Sequence, residues 1–163
     1  MSSLLIIGAG QYGMVVKEIA EFLGYEKIGF LDDNNPIAIG GLDEYTGFTD
    51  EYGSAAAAIG NAEMRMKLLK ELEKAGYELP VLIHNKAYVS PSARIGAGTV
   101  IEPMAVVNTD TEIGIGCIIS AGAIINHNCI IGDGCHIDCG TVVGARTVIK
   151  AKTNTKYGEI ITG

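Results

Sequence analysis

The sequence predicts two successive architectures: a small α/β lobe of the Rossmann type over residues 1–80, then a parallel β-helix of hexapeptide repeats over residues 81–163. Three observations carry this. Every sixth residue from Ile83 to Ile161 is Ile or Val, Thr155 excepted. The residue two places before each of these is small, from Ala87 through Thr153, and only the outermost members, Val81 and Glu159, depart from the rule. Ahead of the repeats, Gly8-Ala9-Gly10-Gln11-Tyr12-Gly13 closes an apolar run and opens an amphipathic stretch.

The lobe reads element by element. Ser3–Ile7 is a short buried strand, and the helical pattern after the glycines extends through Met14–Phe22. Lys27–Leu31 is a second strand, closing in Asp32-Asp33. Strand, G-x-G-x-x-G, helix, strand and then an acid about 20 residues on is the fingerprint of a nucleotide fold. Its glycines let a phosphate approach the helix N-terminal amides, and the acid accepts from a ribose or base. At about 80 residues the lobe is half of a full dinucleotide fold, so a mononucleotide or nucleotide-sugar suits it better. A loop is expected over 34–52. Ala55–Ile59 reads as a further strand, and Asn61 as the N-cap of a helix that runs to Ala75 and stops at Gly76. Arg65, Lys67, Lys70, Glu71 and Lys74 read as a solvated face, with Arg65 set apart because its first-turn position lies beside the strand ends where ligands bind.

The repeats follow from two periodicities. A period of six cannot keep one face of an α-helix, whose turn is 3.6 residues. In a strand, the Ile or Val and the small residue two before it point inward together. Three hexapeptides make one triangular coil of 18 residues, each stacked on the next about 4.8 Å along the axis. Gly96, Gly98, Gly114, Gly116, Gly132 and Gly134 fall where the chain bends between faces. Outward Val100, Val106, Ile118, Ile124, Ile130 and Val142 are too apolar to be left in water along this length, so the prism is expected to pack against copies of itself as a homotrimer.

Composition narrows the function. The formal net charge of −7 resides in residues 1–82, with 13 acids and 6 bases, whereas residues 83–163 carry six of each. No basic patch is present to hold nucleic acid. No run of 18 apolar residues marks a membrane span. The start, MSSLLIIGAG, has neither a basic n-region nor a cleavage site, which makes a cytoplasmic setting the expectation. Of Cys117, Cys129, Cys135 and Cys139, the first three occupy inward small-residue slots, and no C-x-x-C pair occurs. They are read as core rather than as metal ligands, and no metal is expected.

Three blocks taken together resemble the sialic acid O-acetyltransferase and UDP-4-amino-sugar N-acetyltransferase family: Leu5–Gly13 with Phe30–Asp33, then Ala58-Ile59-Gly60-Asn61 with Arg65, then Asn126-His127-Asn128-Cys129 with His136. The resemblance implies a left-handed β-helix, against the usual right-handed crossover, a trimer, and acetyl-CoA as donor. It makes His127 the general base, taking a proton from the sugar amine or hydroxyl as that group attacks the thioester. His136 matches a histidine at the acetyl-CoA end of the site. Gly10, Gln11 and Tyr12 would meet the diphosphate or sugar of a UDP-sugar, Asp32 and Asp33 the uracil or ribose, and Gly60, Asn61 and Arg65 complete that site.

The 18-residue period places Ala145 one coil beyond His127, so its backbone N–H is a candidate oxyanion donor. The chain departs from the family pattern in three places. Asn128 stands where the family has an acid and can orient the imidazole but hardly stabilise its charged form. Tyr12 replaces a histidine of the glycine loop. The repeats reach Gly163, a few coils short of the family pattern, which would leave Tyr157 with Lys150, Lys152 and Lys156 to receive the coenzyme phosphates. Alternatives to an N-acetyltransferase in surface glycan synthesis therefore stand: an O-acetyltransferase on sialic acid, a non-catalytic sugar-nucleotide-binding or assembly protein, and NAD-dependent chemistry.

Overall fold

A computed structural model describes residues 2–163, which divide into two compact units after Leu82. In the first unit, β1 (Ser3–Ile7), α1 (Gln11–Phe22), β2 (Lys27–Leu31), β3 (Ser54–Ala57) and α2 (Ala62–Ala75) follow in order. The sheet is parallel in the order β2-β1-β3, with Leu5 opposite Gly29 on one side and Ala55 on the other. As the central strand, β1 has no polar face: Leu4, Leu5, Ile6 and Ile7 are all fully buried, which is why four apolar residues run consecutively. Asn61 caps α2 by accepting from the Met64 amide at 2.9 Å. Gly76 ends it in the left-handed region at φ 100°, the conformation that favours glycine.

Two boundaries differ from the sequence reading. The segment expected to be loop contains a 3₁₀ turn, Leu42–Phe48. Its Leu42, Tyr45 and Phe48 pack on the core around Leu5, Ile7 and Tyr52, and their spacing of three matches a helix with three residues per turn. β3 ends at Ala57, two residues early. Ala58 still donates to the Ile7 carbonyl at 2.8 Å before the chain turns at Gly60.

The second unit is a left-handed β-helix of two-residue strands. Leu82–Ile83, Val100–Ile101, Ile118–Ile119 and His136–Ile137 stack as one sheet. Tyr88–Val89, Val106–Val107, Ile124–Ile125, Val142–Val143 and Ile160–Ile161 form the second, and Arg94–Ile95, Glu112–Ile113, Ile130–Ile131 and Val148–Ile149 the third. Every pairing is parallel and offset by 18 residues, as in Ile118 with Val100 and with His136. The interior holds the period-six column together with Ala105, Cys117, Ala123, Cys129 and Cys135. The three buried thiols each meet a carbonyl of the next coil, Cys135 Sγ lying 3.0 Å from Lys150 O. Thr155 keeps its inward slot by placing its hydroxyl 3.0 Å from that of Thr141.

The exposed apolar face is narrower than the sequence suggests. Val100 and Ile118 are 3% and 2% exposed within the single chain. The open apolar residues lie on the other two sheets: Tyr88, Ile124 and Ile160 are exposed and Val106 and Val142 half-buried on one, and Ile130 and Val148 are exposed on the other.

The residue directly after each inward position sits at a corner, and the three corners differ in chemistry. One edge is Gly96, Gly114, Gly132 and then Lys150; the second is Ser90, Asn108, Asn126, Gly144 and Thr162; the third is His84, Glu102, Ser120, Asp138 and Lys156. The glycine edge is steric. A Cβ on Gly132 would lie 2.4 Å from the Ala151 amide nitrogen of the coil above.

Candidate active site

His127 leaves the second edge immediately after Asn126. Thr111 Oγ1 donates to the Asn126 carbonyl at 2.8 Å, and the Asn126 amide donates to Val143 O at 3.0 Å, so the corner is tied to the coils on both sides. The Asn126 side chain accepts from the His127 amide at 2.8 Å, and the His127 carbonyl accepts from Arg146 at 3.0 Å. The imidazole, half-buried, stands on a backbone fixed on both flanks.

Asn128 turns the chain at φ 58°, a conformation that Asn tolerates better than most residues. Its Oδ1 lies 2.9 Å from His127 Nδ1. An amide oxygen only accepts, so this contact puts the ring proton on Nδ1 and leaves a lone pair on Nε2. One coil beyond, the Gly144 and Arg146 amides donate to Ile161 and His127 carbonyls. The amide of Ala145 between them has no hydrogen-bond partner among the described residues. A lone pair and an unengaged N–H one coil apart are what acyl transfer asks of a base and an oxyanion donor.

His136 lies on the outer face of the first sheet, stacked on Ile118, and its ring reaches the third edge. Its Nε2 lies 2.9 Å from Ser120 Oγ and 3.7 Å from Asp138 Oδ1. Tyr157 is 79% exposed, and Lys150, Lys152 and Lys156 are exposed with it.

In the first unit, a pocket lies where the strands end. Ile7, Ile59, Leu42, Met64 and Leu68 form its apolar walls, with Asp33, Asp43, Lys67 and Glu71 at its rim. This is the carboxyl edge of a parallel sheet, where ligands of open α/β folds bind. Asp33 lines it and is anchored by accepting from the Leu42 amide at 2.9 Å. Gly10 and Gln11 are exposed at the start of α1, and Tyr12 is half-buried. Gly13 closes the turn because a Cβ there would meet the Gly8 carbonyl oxygen at 2.2 Å.

Two residues expected to face a ligand are engaged with backbone instead. Asp32 accepts from the amides of Ala9 at 2.8 Å, Asn34 at 2.8 Å and Asn35 at 3.1 Å. Its carboxylate shapes the glycine loop, and the Ala9 and Asn34 amides chiefly hold it below the usual carboxylate range. Arg65 is 1% exposed, and its Nη1 donates at 2.8 Å to the carbonyls of both Ile59 and Gly60. It fixes the turn that carries Gly60 and Asn61. The depressed carboxyl of Asp32 contributes stability above the unfolded-state pKa and loses it as pH falls through the folded value. The urea midpoint of Asp32→Ala should therefore lie below that of the native chain at neutral pH, and the gap should close in acid.

The rim residues Lys67 and Glu71, paired at 3.8 Å, were read from sequence as solvated surface. The signal that finds them is helical: Met64, Lys67 or Leu68, and Glu71 share one face of α2, above the strand ends. The third edge was legible only by taking the corner residues at intervals of 18.

An α/β lobe with a nucleotide-type glycine loop, joined to a left-handed β-helix with a histidine at its corner, defines a hexapeptide-repeat protein. The PglD N-terminal domain family matches residues 3–72. The UDP-N-acetylbacillosamine N-acetyltransferase of Bacillus subtilis is 33% identical over 111 residues, 62% of this chain and 51% of the relative, so the match spans about half the length of that curated relative. The acetyltransferase domain of PglB from Neisseria gonorrhoeae, solved with acetyl coenzyme A, is 30% identical, with 98% of this chain and 92% of the other covered and a TM-score of 0.80. PerB from Caulobacter crescentus, solved with CoA and GDP-perosamine, is 26% identical, covers 100% and 84%, and gives a TM-score of 0.78. The chain belongs to the hexapeptide-repeat acyltransferase family that includes the UDP-4-amino-sugar N-acetyltransferases.

Proposed function

We propose that this chain is an acetyl-CoA-dependent acetyltransferase acting on the amine of a UDP-linked amino sugar in surface glycan synthesis, in the cytoplasm. The observation that carries the reading is the corner at His127: Nδ1 engaged by Asn128, Nε2 left with a lone pair, and the Ala145 amide unengaged one coil away. The bound ligands of the two solved relatives support the donor and the acceptor class.

In this reaction the sugar amine attacks in its neutral form, since an ammonium has no lone pair to give, and His127 Nε2 takes the proton that its nitrogen sheds as the new bond forms. The amine nitrogen bonds to the thioester carbonyl carbon, and the Ala145 N–H stabilises the oxyanion that forms. Collapse breaks the C–S bond, and the departing thiolate takes the proton from the imidazolium. His136 serves the coenzyme side, and Tyr157 with Lys150, Lys152 and Lys156 receives its phosphates.

The first unit holds the UDP-sugar. Its base enters the pocket between Ile7, Ile59 and Leu68, with Asp33 accepting, and Gly10, Gln11 and Tyr12 face the diphosphate. The acidic lobe cannot draw an anion by its overall field, so the helix-terminal amides supply the attraction. Calorimetry should find UDP-sugars bound more tightly than NADH; the reverse order would return the lobe to dinucleotide chemistry.

The stripe Tyr88, Val106, Ile124, Val142 and Ile160 buries against copies of the chain in a homotrimer. Light scattering at micromolar concentration should give three times the chain mass, and a stable monomer would remove this assembly.

A further inference from the structure

The third edge of the prism holds groups that neither the fold nor the acetyl transfer accounts for. Corner positions elsewhere are occupied mainly by Gly, Ser or Asn, so the coil does not require an acid there. Glu102 nevertheless sits at such a corner, 9% exposed, with Ser120 stacked on it at 3%. Glu102 Oε2 accepts from the Ala121 amide at 3.0 Å, and its Oε1 accepts from Ser120 Oγ at 3.4 Å. The same hydroxyl oxygen lies 2.9 Å from His136 Nε2.

A hydroxyl has one proton to give. With that proton directed at Glu102, Ser120 can only accept from the imidazole, so Nε2 must carry the ring proton. The line is therefore directional: Nε2–H to Ser120 Oγ, and Ser120 O–H to the carboxylate. Asp138 Oδ1, at 3.7 Å from Nε2, adds a second acceptor and itself accepts from the Cys139 amide at 2.8 Å. The other titratable groups at this edge are Cys139, which feels both Glu102 and Asp138, His84, whose Nδ1 accepts from the Lys86 amide at 3.0 Å one coil before Glu102, and Lys156, exposed at the corner one coil beyond Asp138. Burial holds the Glu102 carboxyl above its ordinary range, Asp138 pushes the same way, and the Ala121 amide and Ser120 oppose them.

We propose that Glu102 is a positioning residue which, through Ser120, fixes His136 with its proton on Nε2 and favours the charged form of its ring. The consequence for function rests on the reading that His136 serves the acetyl-CoA side. A ring of fixed orientation meets that coenzyme in one geometry, and in its charged form it carries a donor on each nitrogen.

Stability separates this role from a structural one. A carboxyl whose folded pKa is raised contributes stability below its unfolded pKa and loses it as pH rises through the folded value. Glu102→Gln, which mimics the neutral acid, should thus melt higher than the native chain at neutral pH, with the gain vanishing in acid. A Glu retained only for structure would instead leave the variant less stable.

The test is ¹⁵N NMR of the His136 ring across pH in the full chain. The native chain should show the Nε2–H tautomer, and Glu102→Gln should release that tautomer and disfavour the charged ring, with Ser120→Ala doing the same from the middle of the line. Unchanged shifts and titration in both variants would overturn the proposal. Ser120→Ala keeps the question answerable if Glu102→Gln misfolds. Acetyl-CoA binding to His136→Ala, read by calorimetry, tests the coenzyme reading separately. Normal binding there would remove that role of His136 and leave the NMR result to decide the positioning line.

Discussion

His127→Ala is expected to lower kcat by roughly 10²–10⁴-fold, the range by which a positioned general base accelerates proton transfer. The affinity for UDP-sugar should stay close to that of the native chain, because the nucleotide pocket proposed above lies in the first unit. A fall in kcat and in kcat/KM together, with little change in binding, marks an interaction made in the transition state. The companion variant is Asn128→Asp. Its carboxylate would orient Nδ1 as the amide oxygen at 2.9 Å does and would also favour the imidazolium, so its activity should equal or exceed that of the native chain. A His127→Ala protein with undiminished kcat would move the base elsewhere on the prism.

The second large effect is structural. Gly132→Ala puts a methyl 2.4 Å from the Ala151 nitrogen and 2.7 Å from its Cα. Those atoms are backbone of the next coil, paired in register through Ile131 with Ile149, so they cannot swing away as a side chain could. Overpacking ordinarily costs about 1–3 kcal/mol, and a clash with two backbone atoms belongs at or above the upper end. Gly122→Ala is the control: φ is +69°, yet nothing lies within 4 Å of the added Cβ. It should lose only about 1–2 kcal/mol for the left-handed conformation. Urea unfolding with unchanged slope would report both losses. Equal losses at the two positions would mean that the glycine edge is set by backbone dihedral and not by coil spacing.

Most of the fold was legible because each unit obeys a simple geometric rule. The inward column from Ile83 to Ile161 repeats at six, and the observed strand pairings repeat at 18. Asn61 and Gly76 announced the ends of α2 through their capping chemistry. The 3₁₀ turn at Leu42–Phe48 stayed hidden, since three apolar residues at intervals of three also fit an irregular loop. Handedness was not in the spacing at all; an 18-residue period is the same in either hand, and only the family resemblance supplied it.

Site legibility followed a different line. The corner of His127, Asn128 and Ala145 was legible because chain neighbours and the 18-residue stack define its geometry. Asp32 and Arg65 were harder, since a sequence shows the charge and not its partners. Asp32 meets three backbone amides, and Arg65 meets two carbonyls at the end of β3. Both tie down the turns that carry Gly10 and Gly60. Val100 and Ile118 carry the same lesson for burial: period alone marks them as outward, and only the folded chain shows them covered.

The proposed reaction is acetyl transfer from acetyl-CoA to a UDP-linked amino sugar at His127. Mass spectrometry of UDP-amino-sugars incubated with acetyl-CoA and the full chain tests it most directly. An N-acetylated sugar nucleotide and an equal amount of free CoA are expected, both lost in His127→Ala. Binding of both substrates without acetylated product would contradict it and leave the chain a sugar-nucleotide-binding relative, with Asn128 in place of an acid as the first cause to examine.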